Sequence, residues 1–495
     1  MTRPSRLLQA LRAARARQLR ARAVRPLRRR RFPRTMPSGD FTPLRVDFWR
    51  SEAFAGMDGV AGDGAVDLLG KEFAFPLRDW GLPGEPRLRR FHAHYGEEVL
   101  GWARRGDLAE AAQALAAWIS TNPARYGDAW HPYPLSTRVG NWVAALSLAP
   151  ELAGDGVVAS LRRQLAYLER NVEDDVLGNH LIRNARALVL GGLALDEPRW
   201  RVQGLQLLRR ELPEQVLPDG GHYERSPVYH LLVLRDLIEV EAASAEDWLA
   251  DPIARMRRFG AALCRPDGKP ALFNDGSLDL APELELPSPP TGLSVFPDTG
   301  YAVLREGPIW LAFDCGPPAP PFLPAHAHAD ALSFQLWVDG RPVVIDPGTY
   351  TYEPGSERDW FRSTRAHATV AVGGRDQFEL WGAFRAGPFP RVALRSTQPL
   401  EAELVRNGLR HTRRIAVADG VVDVDDEVEG SGAELVSTLP LAGEPPLTID
   451  ARGGEPRDEQ GWQSERMLSR TPIRLLRSTA VRGRTGWSLK LPSAQ

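Results

Sequence analysis

Between residues 88 and 265, apolar positions recur at three- and four-residue spacing, the signature of amphipathic helices. The pattern predicts helices over 97–120, 136–148, 158–171, 182–195, 199–212 and 229–243. Asn122–Pro123, Pro150 and the 218–221 cluster punctuate them. Serial helices joined by short connections predict a toroid or solenoid of helical hairpins. The stretch APELELPSPPTG (281–292) reads as a linker, and beyond it the period changes to two. TGYAVLREGPIWLAFDC, ALSFQLWVDGRPVVID, HATVAVGG and GLRHTRRIAVADGVVDVDDEVEG read as strands. VDGR (338–341) and ADGV (418–421) carry Asp-Gly, the residues a tight hairpin turn requires. An antiparallel β-sandwich follows. Residues 36–87 show little periodicity and are expected to pack on the helical domain as an N-terminal extension.

At 495 residues the chain is too long for one ordinary core, so two domains of different character are expected. The boundaries predicted are a basic tail over 1–35, a helical domain with its extension over 36–280, a linker over 281–292 and a sandwich over 293–495. Composition is globular, with 43% hydrophobic and 25% charged residues. The two cysteines, Cys264 and Cys315, make neither a disulfide framework nor a zinc ribbon.

Charge changes the picture at one end. Net charge is −1, yet residues 1–35 contain thirteen Arg and no acidic residue, which leaves about −14 for the rest by subtraction. Three readings compete for this tail. It is a basic amphipathic helix lying on anionic lipid, with Leu7, Leu8, Leu11 and Leu19 among the arginines. It is a nucleic-acid arm, although no aromatic residue is interleaved before Phe32. Or it is a disordered stretch, or sequence upstream of a start at Met36. Disorder or a misplaced start is the reading adopted. A weak membrane-surface contact remains open, and no nucleic-acid partner is expected. No secretory signal or apolar run of membrane-spanning length is seen, which predicts a cytoplasmic or membrane-peripheral protein, or a periplasmic or secreted one if the start is misassigned.

The candidate chemistry concentrates in AHAHADALSF (325–334). HxHxD places His326, His328 and Asp330 on one face if the segment is a strand, because side chains two apart point the same way. VVIDPGTY then brings Asp346, and STRAH brings His367. His328, Asp346 and His367 lie eighteen and twenty-one residues apart, the spacing of neighbouring strands with their turns. Two imidazoles and a carboxylate suit zinc, and they equally suit a plain hydrogen-bond network.

AHAHADALSFQLWVDGRPVVIDPGTYTY and FRSTRAHATVAVGGRDQF resemble the C-terminal domain of the heparinase II/III-like family of polysaccharide lyases. VLGNHLIRNARALVLGGLAL and LPDGGHYERSPVYHLLVLRDL resemble two helices of that family's α-helical domain. With LSTRVGNWV around Arg138, the similarity covers roughly residues 90–390. It implies an α+β multidomain protein, an incomplete (α/α) toroid followed by an antiparallel β-sandwich. The implied activity is cleavage of a uronic-acid-containing acidic polysaccharide by β-elimination.

That reaction needs a group to neutralise the C5 carboxylate, a base for C5–H and an acid for the departing O4. The resemblance implies Asn179, with His180 close behind, for the carboxylate, and Tyr229 and His326 as proton carriers. Tyr223 is the competitor to Tyr229. On sequence alone Asn179 is equally an N-cap and Tyr229 equally a helix–helix contact. Ser226 and Pro227 mark the helix start below Tyr229, a positive end expected to favour a partly deprotonated phenol. Arg138, Glu224 and Arg365 are candidate substrate-positioning groups. His328, Asp346 and His367 match zinc ligands in one branch of the family, in an orienting role. Two departures bear on this: AHATV has Ala368 where many relatives carry Asn, and Arg183 stands where an acidic residue is common. Two other functions stay open: a uronyl C5-epimerase, which would use the same proton abstraction, and a non-catalytic glycan-binding protein of exopolysaccharide assembly, which these departures motivate.

Overall fold

The computed structural model describes residues 3–33, 36–51, 59–61, 64–445, 447–481 and 483–491. Two N-terminal helices, α1 (Arg3–Ala13) and α2 (Ala16–Arg29), precede the helical domain. The domain itself runs through α3 (Arg87–His92), α4 (Glu97–Arg105), α5 (Leu108–Thr121), α6 (Pro132–Leu148) and α7 (Asp155–Leu168). It continues through α8 (Asn179–Ala194), α9 (Pro198–Gln215), α10 (Pro227–Ser244) and α11 (Ala250–Ala262). A small hairpin, β1 (Ala65–Asp67) with β2 (Glu72–Ala74), belongs to the extension, whose Trp49 is fully buried in the helical core.

The helices follow the apolar period with one break. The single helix expected over 97–120 is two, because Gly106 takes a left-handed conformation (φ 83°) and closes α4. The basic tail is also corrected: α1 and α2 are ordered helices. Their arginines find carboxylates that composition alone could not locate. Arg15 pairs with Glu214, Arg17 with Glu211 and Arg25 with Asp175, while Phe32 stacks on Tyr167 at 4.7 Å.

The sandwich begins with β3 (Gly292–Phe296), β4 (Tyr301–Glu306), β5 (Ile309–Asp314), β6 (Phe334–Val338) and β7 (Arg341–Val344). After α12 (Ser356–Phe361) come β8 (Val370–Val372), β9 (Arg391–Thr397), β10 (Leu400–Arg406), β11 (Leu409–Ala418) and β12 (Val421–Glu429). The last strands are β13 (Leu435–Leu441), β14 (Thr448–Ala451), β15 (Arg457–Arg466), β16 (Ser469–Ala480) and β17 (Arg484–Lys490). One sheet orders as β14-β17-β12-β11-β10-β9. The other orders as β15-β16-β13-β7-β6-β5-β4-β3, with β8 on β13. Both Asp-Gly hairpins form as expected: Asp339–Gly340 and Asp419–Gly420 have positive φ and join β6 to β7 and β11 to β12.

Burial explains two kinds of strand. β12 alternates buried and exposed positions because one face meets the other sheet and one meets water. β5, IWLAFD, is buried throughout. Its Leu311 and Phe313 face the six-stranded sheet, while Trp310 and Ala312 pack with Tyr301, Val303 and Trp337 against Phe259 of α11 and Leu263 beyond it. This apolar joint fixes the toroid on the sandwich, at roughly 2 kcal/mol per buried Phe-sized side chain. The candidate residues meet along that junction.

Candidate active site

Tyr229 sits in the first turn of α10, where Ser226 caps the helix by accepting from the Tyr229 N–H at 3.2 Å and Pro227 occupies the first position. The Tyr229 hydroxyl bonds that of Tyr352 at 2.9 Å. Its ring lies against His326 of the sandwich domain, centroids 3.9 Å apart and planes 30° apart. Burial, with Tyr352 and Asp275 nearby, raises the Tyr229 hydroxyl well above the ordinary tyrosine pKa. The expected partly deprotonated phenol is thus corrected. Desolvation outweighs the helix end, and the resting group is a neutral O–H donor.

Asn179 is the first residue of α8, not its cap; the cap position is Gly178. Its amide Nδ2 donates to Glu224 at 2.9 Å, and its backbone N–H donates to the same carboxylate at 3.0 Å. A Cβ on Gly178 would lie 1.8 Å from Glu224 Oε1, so glycine is required for this close approach. Burial pushes the Glu224 pKa up, but His326, His222 and the Asn179 bonds bring it below the usual value, so it is ionised. Tyr223 accepts from the Gly178 N–H at 2.9 Å on the same side.

His180 diverges from Asn179. Its Nδ1 meets Glu173 at 3.1 Å and its ring tilts on Tyr133 at 4.4 Å. Glu173, buried yet surrounded by His180, His131 and Asn184, is held down to about 2.

His326 lies between two carboxylates: Nδ1 is 3.1 Å from Asp275 and Nε2 is 3.8 Å from Glu224. Asp275 is the residue that sequence reasoning missed. It sits in an irregular stretch, with no periodic or motif signal. It receives a two-pronged contact from the buried Arg358, and it also meets His328 Nε2 at 3.0 Å. Burial opposes its ionisation, but Arg358 and the two imidazoles hold its pKa well below the ordinary aspartate value. One charged carboxylate therefore fixes both imidazoles. Tyr352, Arg358 and Tyr133 were missed as well.

The HxHxD segment is corrected from a strand to an irregular loop leading into β6, where Leu332 has φ 64° and the Ser333 N–H bonds the Asp330 carbonyl. The loop still gathers its polar residues. His328, Asp330 and His367 offer ligand atoms within 4.8 Å of one another. Asp346 lies 3.8 Å from His367 Nε2.

The residues fit a cation on three observations. His328 Nε2 faces the Asp275 carboxylate and His367 Nδ1 donates to the Ser363 carbonyl at 2.8 Å, so the remaining nitrogens are both lone-pair acceptors. Those two nitrogens stand 3.4 Å apart, with His328 held neutral by burial, its pKa lowered to about 4. Asp330 Oδ1 is buried without a hydrogen-bond partner among the described residues, and burial beside Asp330 raises Asp346 well above the ordinary aspartate value. Facing lone pairs and poorly compensated carboxylates are what a divalent ion reconciles.

Two substrate-positioning candidates are corrected. Arg138 is fully buried and bonds Gln164, the His94 carbonyl and the Ala129 carbonyl while covering the Trp118 ring, so it holds the helical core. Arg365 is exposed beside Arg477, and none of its described contacts reaches Tyr229, Asn179 or His326. Ala368 lies in the sandwich core, and Arg183 is paired with Asp236 at 2.8 Å.

A helical toroid abutting a two-sheet sandwich, with tyrosine, asparagine and histidine meeting at the joint, defines a class that the comparisons identify. The family model described as Heparinase II/III N-terminus matches residues 105–298, and the one described as Heparinase II/III-like, C-terminal matches 288–469. The chain belongs to the heparinase II/III-like family. A heparin-sulfate lyase of Bacteroides stercoris is 24% identical over 342 residues, covering 58% of this chain and 51% of that protein. FtsZ-localized protein C of Caulobacter vibrioides is 26% identical over 344 residues, covering 64% and 58%. The chain thus spans about half the length of the curated relatives it matches. The crystal structure of heparinase III has the same fold, with a TM-score of 0.70 at 16% identity over 96% of this chain and 89% of that one.

Proposed function

We propose that the protein is a lyase that cleaves a uronate-containing acidic polysaccharide by β-elimination. The observation that carries this is the meeting of Tyr229, His326 and the Asn179–Glu224 pair where the domains join. The names of the heparin-sulfate lyases among its relatives support it. In the reaction the C5–H and C4–O4 bonds break, a C4–C5 double bond forms, and a proton reaches O4. Asn179 stabilises the charge that grows on the C5 carboxylate, held in place by Glu224. Tyr229, as a neutral phenol, protonates O4, and His326, aligned by Asp275, accepts the C5 proton. Since the Tyr229 and His326 rings touch, substrate binding has to part them.

Zinc is proposed at His328, His367 and Asp330, with Asp346 as the fourth neighbour. Its chemistry there is fixed positive charge that holds these side chains in place. The test of the whole reading is incubation of the zinc-replete protein with heparan-type, hyaluronan, alginate, glucuronan and bacterial capsular polymers. An unsaturated uronyl product with a new ultraviolet absorption, from the double bond conjugated to the carboxylate, is expected. A Tyr229→Phe variant with full rate would remove the central assignment. Solvent deuterium at C5 without cleavage would instead mark an epimerase.

A second reading is a binding protein of this fold without turnover. The closed contact between Tyr229 and His326 favours it. Tight glycan binding with no product over long incubation would select it.

A further inference from the structure

Helices α1 and α2 are amphipathic in the reverse of the usual sense. A helix packed on a protein turns its apolar stripe inward and its charges to water. In α2 the inward face is Arg15, Gln18, Arg22, Arg25 and Arg29, spaced by three and four. Arg15 reaches Glu214 and covers the Phe322 ring at 3.5 Å. The buried Gln18 donates to the Phe322 carbonyl, and Arg22 and Arg25 reach Asp175. The outward face is Leu19, Ala23 and Leu27, with Val24 alongside. In α1, Arg6 pairs with Glu379 at 3.0 Å, whereas Leu7, Leu8 and Leu11 point to water.

Six of the ten large apolar side chains exposed among the described residues lie between Leu7 and Leu27. Leu7 is 62% exposed and Leu27 67%. Exposed single leucines are unremarkable, but six large apolar side chains exposed along two consecutive helices are not. Arg12, Arg20, Arg28, Arg30 and Arg31 are exposed beside this face, with no ion pair among the described residues. The helices are therefore held by one set of arginines on acidic groups of both domains, Glu379 on the sandwich and Glu211, Glu214 and Asp175 on the toroid. A second set of arginines and all the leucines remain for something outside the chain.

We propose that α1 and α2 form a docking face for an anionic lipid bilayer. The leucines enter the boundary between headgroups and acyl chains, and the rim arginines meet the headgroup phosphates. A nucleic acid would use the arginines but offer the leucines nothing apolar to enter, and a second copy of this face would bring like charges together. No described helix is long and apolar enough to cross a membrane, so the contact is peripheral. The domain junction would then lie at a fixed height above the lipid surface, because both domains hold these helices.

The experiment is co-sedimentation of the full chain with vesicles of phosphatidylglycerol and phosphatidylcholine, and with phosphatidylcholine alone. The anionic vesicles should retain the protein, with added salt weakening retention. The Leu7→Glu/Leu8→Glu/Leu11→Glu/Leu27→Glu variant should partition at least about tenfold less. These positions are exposed, so its unfolding curve should match the parent's. An Arg12→Gln/Arg20→Gln/Arg28→Gln variant should lose the preference for anionic lipid. Three results overturn the proposal: no retention of the parent on anionic vesicles, equal retention of the leucine variant, or a lipid-free dimer that the leucine substitutions make monomeric.

Discussion

Tyr229 and His326 come from different domains and meet ring to ring, 3.9 Å between centroids, with the Tyr229 hydroxyl on Tyr352 and the His326 ring on Asp275. Tyr352 follows the linker and Asp275 precedes it, so each ring is bonded by a residue from the other side of the joint, and their relative position reports how the domains are docked. Burial makes the phenol a poor acid. Tyr229 should therefore contribute no phenolate absorption below about pH 10, seen as a flat difference between the ultraviolet titrations of the parent and Tyr229→Phe. A difference band rising near neutral pH would reverse the assigned roles, making Tyr229 the base. Under the proposed reaction the same substitution should lower kcat/KM by at least about a hundredfold.

Asp275 offers a sharper test of architecture. Its carboxylate satisfies Arg358, which is fully buried, and orients His326 and His328. Asp275→Asn leaves the guanidinium with a neutral partner. Removing one side of a buried ion pair costs about 3–5 kcal/mol, so a loss near the lower figure is expected in urea unfolding. Adding Arg358→Met should recover part of it, since the unpaired charge is then gone. A loss below about 1 kcal/mol would mean that the pair does not anchor the two imidazoles.

Much of this architecture is legible in the chain because it depends on local period. Alternating burial along β12 and the Asp-Gly turns at 339–340 and 419–420 are written in neighbouring residues. The site is only half legible. Tyr229 and Asn179 sit on helix starts with strong local signals, and His328 and His367 lie in recognisable segments. Asp275 has no such signal, since its partners His326, His328 and Arg358 lie fifty or more residues away. HxHxD mimics a strand because alternation is also what an irregular loop shows by chance. Arg138 misleads for the opposite reason. Two of its three acceptors are the backbone carbonyls of His94 and Ala129, and carbonyls leave no trace in side-chain identity. The tail misleads because a run of arginines reads as disorder until Glu211, Glu214 and Asp175 are placed beneath it.

The facing lone pairs of His328 and His367 lead to a prediction about metal content. The protein as purified should carry about one zinc per chain by elemental analysis, the content of a single mononuclear site. His367→Ala should empty the site, while Tyr229→Phe should leave it full. Chelation should lower thermal stability of the parent and leave His367→Ala unmoved, because bound metal adds stability only where the site exists. A metal-free parent, or a His367→Ala protein that keeps its zinc, would return the cluster to a hydrogen-bond network.

Glu173 gives the chain a predictable acid sensitivity. Buried beneath His180, His131 and Asn184, it is depressed from its ordinary value of 4.5 to about 2. A carboxylate whose folded pKa lies below its unfolded one adds stability above the unfolded value and loses it as pH falls through the folded one. The contribution of Glu173 should thus be constant above pH 4.5 and disappear between 4.5 and about 2. Its ceiling is about 3 kcal/mol, from about 1.4 kcal/mol per pKa unit. Glu173→Gln should be less stable than the parent at pH 6, and the gap should narrow as denaturant unfolding is repeated toward pH 3. A gap that stays constant across that range would show that Glu173 acts through its hydrogen bonds to Asn184 and His180, and that its charge is not what stabilises the fold.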